Sequence, residues 1–249
     1  MNGEKNIKKD FLLPASILIA ALLVSGALVY NAGRYSNGGD KGSAQILDSA
    51  QVGGSAANVA PVTTADHIYG NPNAEIKVIT FTDYECPFCK DFHKEMKKAL
   101  AEYGSDIAWI YRNFPLDELH SKARKEAYAA ECAGNLGGNA KFWTYVDKIF
   151  EVTPSNNGLD LSLLPDIAEE IGIDRGAFQT CLNQGSEKYD ERINNSISDG
   201  IGAGAGGTPF SVVLVNGNAY EIPGAFPFES QVPGQRNSIK GIIDSALDK

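Results

Sequence analysis

Hydrophobic positions change rhythm several times along this chain. Residues 11–30 are an apolar run without a single charge, the ~20 residues that a helix needs to cross a bilayer. Residues 31–65 are rich in Gly, Ser, Ala and Asn, broken only by Ile46-Leu47, which reads as a flexible tether with a root-mean-square reach of roughly 30–35 Å. Residues 75–82 are β-branched and aromatic and predict a buried strand. Pro87 opens a helical stretch to about Tyr103, with Phe88, Phe92, Met96 and Leu100 on one stripe and Gly104 as its stop. Residues 107–114 predict a second strand, so 75–114 is a strand–helix–strand unit of the kind parallel strands require.

The middle, residues 119–198, is helical in pattern: Leu164, Ile167, Ala168 and Ile171 recur at helical spacing, as do Phe178, Cys181 and Leu182. Gly137-Gly138 and Ser155-Asn156-Asn157-Gly158 are breaks. Strand character returns over 209–215. Asn216-Gly217 is a two-residue hairpin turn, a short strand follows over 218–222, and residues 238–247 close the chain as a helix. Strand pairs split around a helical block predict an α/β domain over 66–249 with a helical insertion at about 117–198.

Charge orients the apolar run. Lys5, Lys8 and Lys9 precede it, and only Arg34 and Lys41 follow before the tether ends. The expected topology is a cytoplasmic N-terminus at 1–10, a single transmembrane signal anchor at 11–30, and an extracytoplasmic remainder at the cell membrane. A cleaved signal peptide is the competing reading, with Ser25-Gly26-Ala27 as a poor cleavage site. Both readings put the domain where disulfides persist. The formal net charge of −9 argues against nucleic acid as a partner.

Four cysteines carry the candidate chemistry: Cys86, Cys89, Cys132 and Cys181. Cys86 and Cys89, three positions apart at a helix start, can lie close enough to bridge. The free N–H groups and positive dipole end there favour a thiolate. Cys86 is the expected nucleophile and Cys89 the resolving thiol, with Pro87 suited to the first helical position. Haem attachment fails because Lys90, not His, follows the pair. Zinc modules usually show a second close-spaced pair, and Cys132 and Cys181 are far apart. Those two are expected to form a structural disulfide. No metal or cofactor is expected. Asp83 and Glu85 are read as solvated strand-end acids, with Glu85 able to tune the pair; His67 and His120 are read as structural and His93 as an exposed helix position. Phe142, Trp143 and Tyr145 are read as core.

The strand leading into Cys86-Pro87-Phe88-Cys89, then Asn113-Phe114-Pro115-Leu116, and later Gly207-Thr208-Pro209, Asn216-Gly217 and Gly224-Ala225 resemble the DsbA-like family of thioredoxin-fold oxidoreductases. Similarity to its membrane-anchored branch runs from about Ala65 to Lys249. The resemblance implies a thioredoxin fold with an inserted helical domain. It also implies a cis Thr208-Pro209 bond facing the cysteines and helping to bind substrate. Better-studied members carry His where this chain has Phe88, and an acid where it has Thr80. The resemblance therefore implies the chemistry and leaves its oxidising strength open.

The resulting expectation is an oxidase whose Cys86–Cys89 disulfide passes to reduced or misfolded secreted proteins.

 In that reading, a membrane protein of DsbB-like or vitamin K epoxide reductase-like type reoxidises the pair, a partner implied by the resemblance, and the chain acts as a monomer. A disulfide isomerase or reductase on the same fold is one alternative. A non-catalytic, membrane-anchored zinc or binding module is another, from a different class.

Overall fold

The computed structural model describes residues 55–231 and 237–247. The expected anchor at 11–30 and most of the expected tether lie outside them. No described helix is long and apolar enough to cross a membrane.

Five strands form one mixed sheet: β1 (His67–Gly70), β2 (Ile76–Thr82), β3 (Ile107–Asn113), β4 (Phe210–Val215) and β5 (Asn218–Pro223), in the order β1-β3-β2-β4-β5. β2 and β3 run parallel, and every other pairing is antiparallel. Helix α1 (Pro87–Tyr103) makes the crossover from β2 to β3. Between β3 and β4 come α2 (Ala123–Val152), α3 (Leu164–Glu170), α4 (Arg175–Asn183) and α5 (Gly185–Gly202), and α6 (Ile239–Ala246) follows β5. This is the thioredoxin fold with a helical insertion, and the insertion runs on to Gly202. The break expected at Gly137-Gly138 is a kink inside α2, where Gly138 takes φ 77°. The β4–β5 hairpin turns through Asn216 (φ 50°) and Gly217 (φ 75°), left-handed conformations that such two-residue turns demand.

Alternation along the central strand loads both faces of the sheet. Val78, with Trp109 and Tyr111, packs against α1 and the insertion. Ile79 and Phe81, with Ile110 and Val212, face the other way. That second face is covered in part by residues that the tether reading had included. Ala56 is fully buried, and Val59 and Val62 pack on the same cluster. The tether expected over 31–65 therefore does not extend to 65: from Ser55 onward the chain is a strap on the sheet. Its lock is Arg112, a charged residue in a buried strand. Its guanidinium donates to Asp66 (3.0 Å), to Asp199, and to the carbonyls of Ala60 (3.0 Å) and Pro61 (3.2 Å). Arg192 adds a bond to the Ala65 carbonyl (2.7 Å).

Candidate redox site

The site is built where β2 ends. Asp83-Tyr84-Glu85 turns the chain, and Cys86, with extended backbone (φ −78°, ψ 118°), caps α1, with Pro87 in its first turn. The N–H groups of Cys89 and Lys90 both donate to the Cys86 carbonyl (3.1 and 3.2 Å). Cys86 and Cys89 are free thiols, 4% and 1% exposed. Opposite them the Thr208-Pro209 bond is cis, and the Cys86 thiol donates to the Thr208 carbonyl (3.3 Å). Phe88, between the cysteines, is 63% exposed, which leaves an apolar ring at the mouth of the site.

The two thiols are unlike each other. The Cys89 thiol, hydrogen-bonded to the Cys86 sulfur, is the largest influence on Cys86. Backbone N–H groups of Cys89 and Phe88 and the Thr208 side chain act with it, and together they outweigh burial and hold Cys86 at about 6. Burial, with the neighbouring Cys86 sulfur, pushes Cys89 well up. At pH 7 about nine-tenths of Cys86 is then thiolate, while Cys89 keeps its proton. Alkylation of the reduced protein by iodoacetamide should therefore follow one titration centred near pH 6. The rate should fall about tenfold for each pH unit below that midpoint. A midpoint near 8.5, the ordinary thiol value, would contradict this geometry.

Several polar residues sit differently from the sequence reading. Asp83 and Glu85 are buried, not solvated. The Asp83 carboxylate accepts the N–H groups of Glu85 and Leu116 (both 2.7 Å) and lies 3.0 Å from His120 Nδ1; burial still raises its pKa. Glu85 accepts the N–H groups of Gly158 and Leu159 (3.1 and 3.3 Å). His93 is also buried rather than exposed: it lies between Trp109 and Phe150, and its Nε2 is 2.7 Å from Asp147. Burial lowers its pKa despite that carboxylate. His67 stacks on Phe142 and meets Glu131 at 3.0 Å. Phe142, Trp143 and Tyr145 are buried. Thr80 is buried too, taking the Trp109 indole N–H (3.0 Å) and pairing with the Ser211 hydroxyl (2.9 Å).

Cys132 and Cys181 are bonded to each other, joining α2 to α4 with Cα atoms 5.9 Å apart. They are not available as ligands beside Cys86 and Cys89. Among the described residues no group of three or more His, Cys, Asp or Glu is placed to hold a metal ion. Glu126, fully buried in the first turn of α2, was not singled out from the sequence, because nothing in its local pattern separates it from a solvated helix glutamate. Arg112 could have been: a lone charge in an apolar strand signals a buried ion pair.

A mixed sheet with a helical insertion, a Cys-x-x-Cys pair at a helix start and a cis-proline beside it define a thiol–disulfide oxidoreductase of DsbA type. The chain belongs to the thioredoxin family, whose model matches residues 62–226. DsbA2 of Pseudomonas aeruginosa is similar in structure, at 25% identity and TM-score 0.59, over 76% of this chain and 96% of that one. BdbD of Bacillus subtilis, in its oxidised form, shares the fold at 20% identity and TM-score 0.58, over 74% of this chain and 94% of that one. Among curated proteins, an antiporter named Na(+)/H(+) antiporter NhaA 1 from Mycolicibacterium gilvum is 28% identical over 158 residues, 64% of this chain. The chain spans about a quarter of that relative's length (24%).

Proposed function

We propose that this protein is an extracytoplasmic oxidase that donates a Cys86–Cys89 disulfide to reduced secreted proteins. The observation that carries the reading is the asymmetry of the pair: Cys86 is held at about 6 at the helix start, and Cys89 is buried and held high. A stabilised Cys86 thiolate favours the dithiol form over the disulfide, and that makes the disulfide a ready donor.

The exchange has two displacements. A substrate thiolate attacks Cys86 Sγ, the Cys86–Cys89 bond breaks, and the Cys89 sulfur leaves and takes up a proton. A second substrate thiolate then attacks the substrate sulfur of the mixed disulfide and expels the Cys86 thiolate. The substrate is oxidised by two electrons and the pair is reduced by two. In this reading the cis Thr208-Pro209 segment supports the incoming chain through its backbone. A disulfide-bearing membrane partner of DsbB-like or vitamin K epoxide reductase-like type restores the disulfide, and the protein works as a monomer tethered through residues 11–30.

The reduction potential of the pair, measured against glutathione, tests the direction. The expected value is more oxidising than the ≈ −180 mV of protein disulfide isomerase; a value near thioredoxin's ≈ −270 mV would instead make the protein a reductase. Location is tested by labelling Cys86 in intact cells with a membrane-impermeant maleimide. Labelling only after lysis would overturn the outward topology.

A further inference from the structure

Three successive residues beside the redox motif, Ser155, Asn156 and Asn157, have left-handed backbones (φ 66°, 53° and 63°). None is glycine, and a left-handed backbone is disfavoured for a residue with a Cβ, less so for asparagine than for serine. A run of three persists only if its surroundings hold it in place. The holding groups lie on both sides of Cys86-Pro87-Phe88-Cys89. Before the motif, the Glu85 carbonyl accepts the Asn156 N–H (2.8 Å), and the Glu85 carboxylate takes Gly158 and Leu159. After it, Lys90 Nζ donates to the Thr153 carbonyl (2.6 Å). Lys122 Nζ reaches the Leu159 carbonyl (2.6 Å), and Asn157 bridges to Leu119 and Lys122.

Glu126 approaches this clamp from behind. Its side chain is fully buried, and no N–H group, hydroxyl or cation reaches either carboxyl oxygen; the group that acts on it most strongly is the Glu85 carboxyl. A charged carboxylate is unfavourable when buried without a partner, so Glu126 keeps its proton. The other ionisable groups facing Glu126 are Asp83 from the β2–α1 turn, Lys122 one turn back, and Tyr84 and Tyr145. Burial first, then Glu85, pushes Glu126 up to about 9.

We propose that Glu126 is a positioning residue for thiol–disulfide exchange with protein substrates. The Glu126 carboxyl donates to Glu85 from behind and fixes the Glu85 carboxylate on residues 158–159, and this holds the 155–159 loop as a wall of the substrate site beside Cys86. The proposal rests on the oxidoreductase reading above. A polypeptide needs that wall to be oriented; a small dithiol does not.

The test compares the full chain with Glu126→Gln, which keeps a donor toward Glu85, and with Glu126→Leu, which keeps the volume and loses it. Each is assayed on a reduced, unfolded protein and on dithiothreitol. For Glu126→Leu, kcat/KM on the protein should fall about tenfold, the worth of one charge-assisted hydrogen bond, with the dithiothreitol rate unchanged. The wild type should lose protein oxidation relative to dithiothreitol oxidation as pH passes about 9, and Glu126→Gln should not. Infrared spectra at pH 7 should show a protonated-carboxyl band in the wild type that Glu126→Gln lacks, a readout available even if the leucine variant does not fold. Absence of that band, an alkaline fall retained in Glu126→Gln, or a folded Glu126→Leu with the wild-type ratio would each overturn the proposal alone. A wild type that oxidises dithiothreitol and not the protein would overturn the oxidase reading and the proposal with it.

Discussion

Cys86→Ser is expected to reduce oxidation of an unfolded, reduced protein to the uncatalysed rate, a loss on the order of a thousandfold or more. The reason is the sulfur itself. Cys86 is the thiol at the helix start, held at about 6, and a serine hydroxyl neither ionises near neutral pH nor forms a disulfide to donate. Cys89→Ser should also stop turnover, but differently. It keeps Cys86 as a thiolate and keeps a donor beside it, so Cys86 should be captured as a mixed disulfide with glutathione and not released by an internal attack. Cys89→Ala removes the donor that is the largest influence on Cys86, so the alkylation midpoint should move up in that variant and stay low in Cys89→Ser. Mass spectrometry of the trapped species and pH-dependent alkylation check both halves. A Cys86→Ser protein that still oxidises the substrate would end the assignment of this pair as the redox centre.

The second large effect is on stability. Replacing Cys132 and Cys181 together by alanine should cost about 4 kcal/mol in the chain-entropy account of cross-linking, because the bridge spans 49 positions. Both side chains are buried between α2 and α4, so the loss should appear as a lower urea midpoint for the whole domain. The reduction potential of Cys86–Cys89 should not change, because the bridge lies in the helical insertion and the redox pair at the end of β2. A midpoint shift worth less than ~1 kcal/mol would mean that the insertion is held by packing alone.

What could be read from the sequence was what depends on neighbours in the chain. Pro87 and Gly104 bracket α1 because the first helical position tolerates a missing N–H and the last residue needs a left-handed backbone. The β-branched run of β2 and the Asn216-Gly217 turn are similarly local. β1 escaped because four residues, His67–Gly70, are too few to show alternation. The strap escaped because Ala56 and Val59 look like linker until a sheet face is there to receive them. The buried state of Asp83, Glu85 and His93 escaped for a related reason. Each is made tolerable by a distant partner: His120, the 158–159 backbone and Asp147. The cysteine pair was legible because its chemistry needs only a helix start, whereas the carboxyl pair behind it needs two elements brought together.

The strap also bears on the order in which the molecule can be completed. The Ala56 N–H donates to the Glu221 carboxylate across 165 positions (3.2 Å), and the Ala60 N–H to Asp199 across 139 (2.6 Å). A chain made from its N-terminus exposes Ala56, Val59 and Val62 long before α5 and β5 exist. These contacts can close only when synthesis is nearly finished, and the loop they close is long. Until then the apolar face of β2 and β3 has no permanent cover. A nascent chain is therefore exposed to aggregation until the sheet is completed, even after the redox helix has formed.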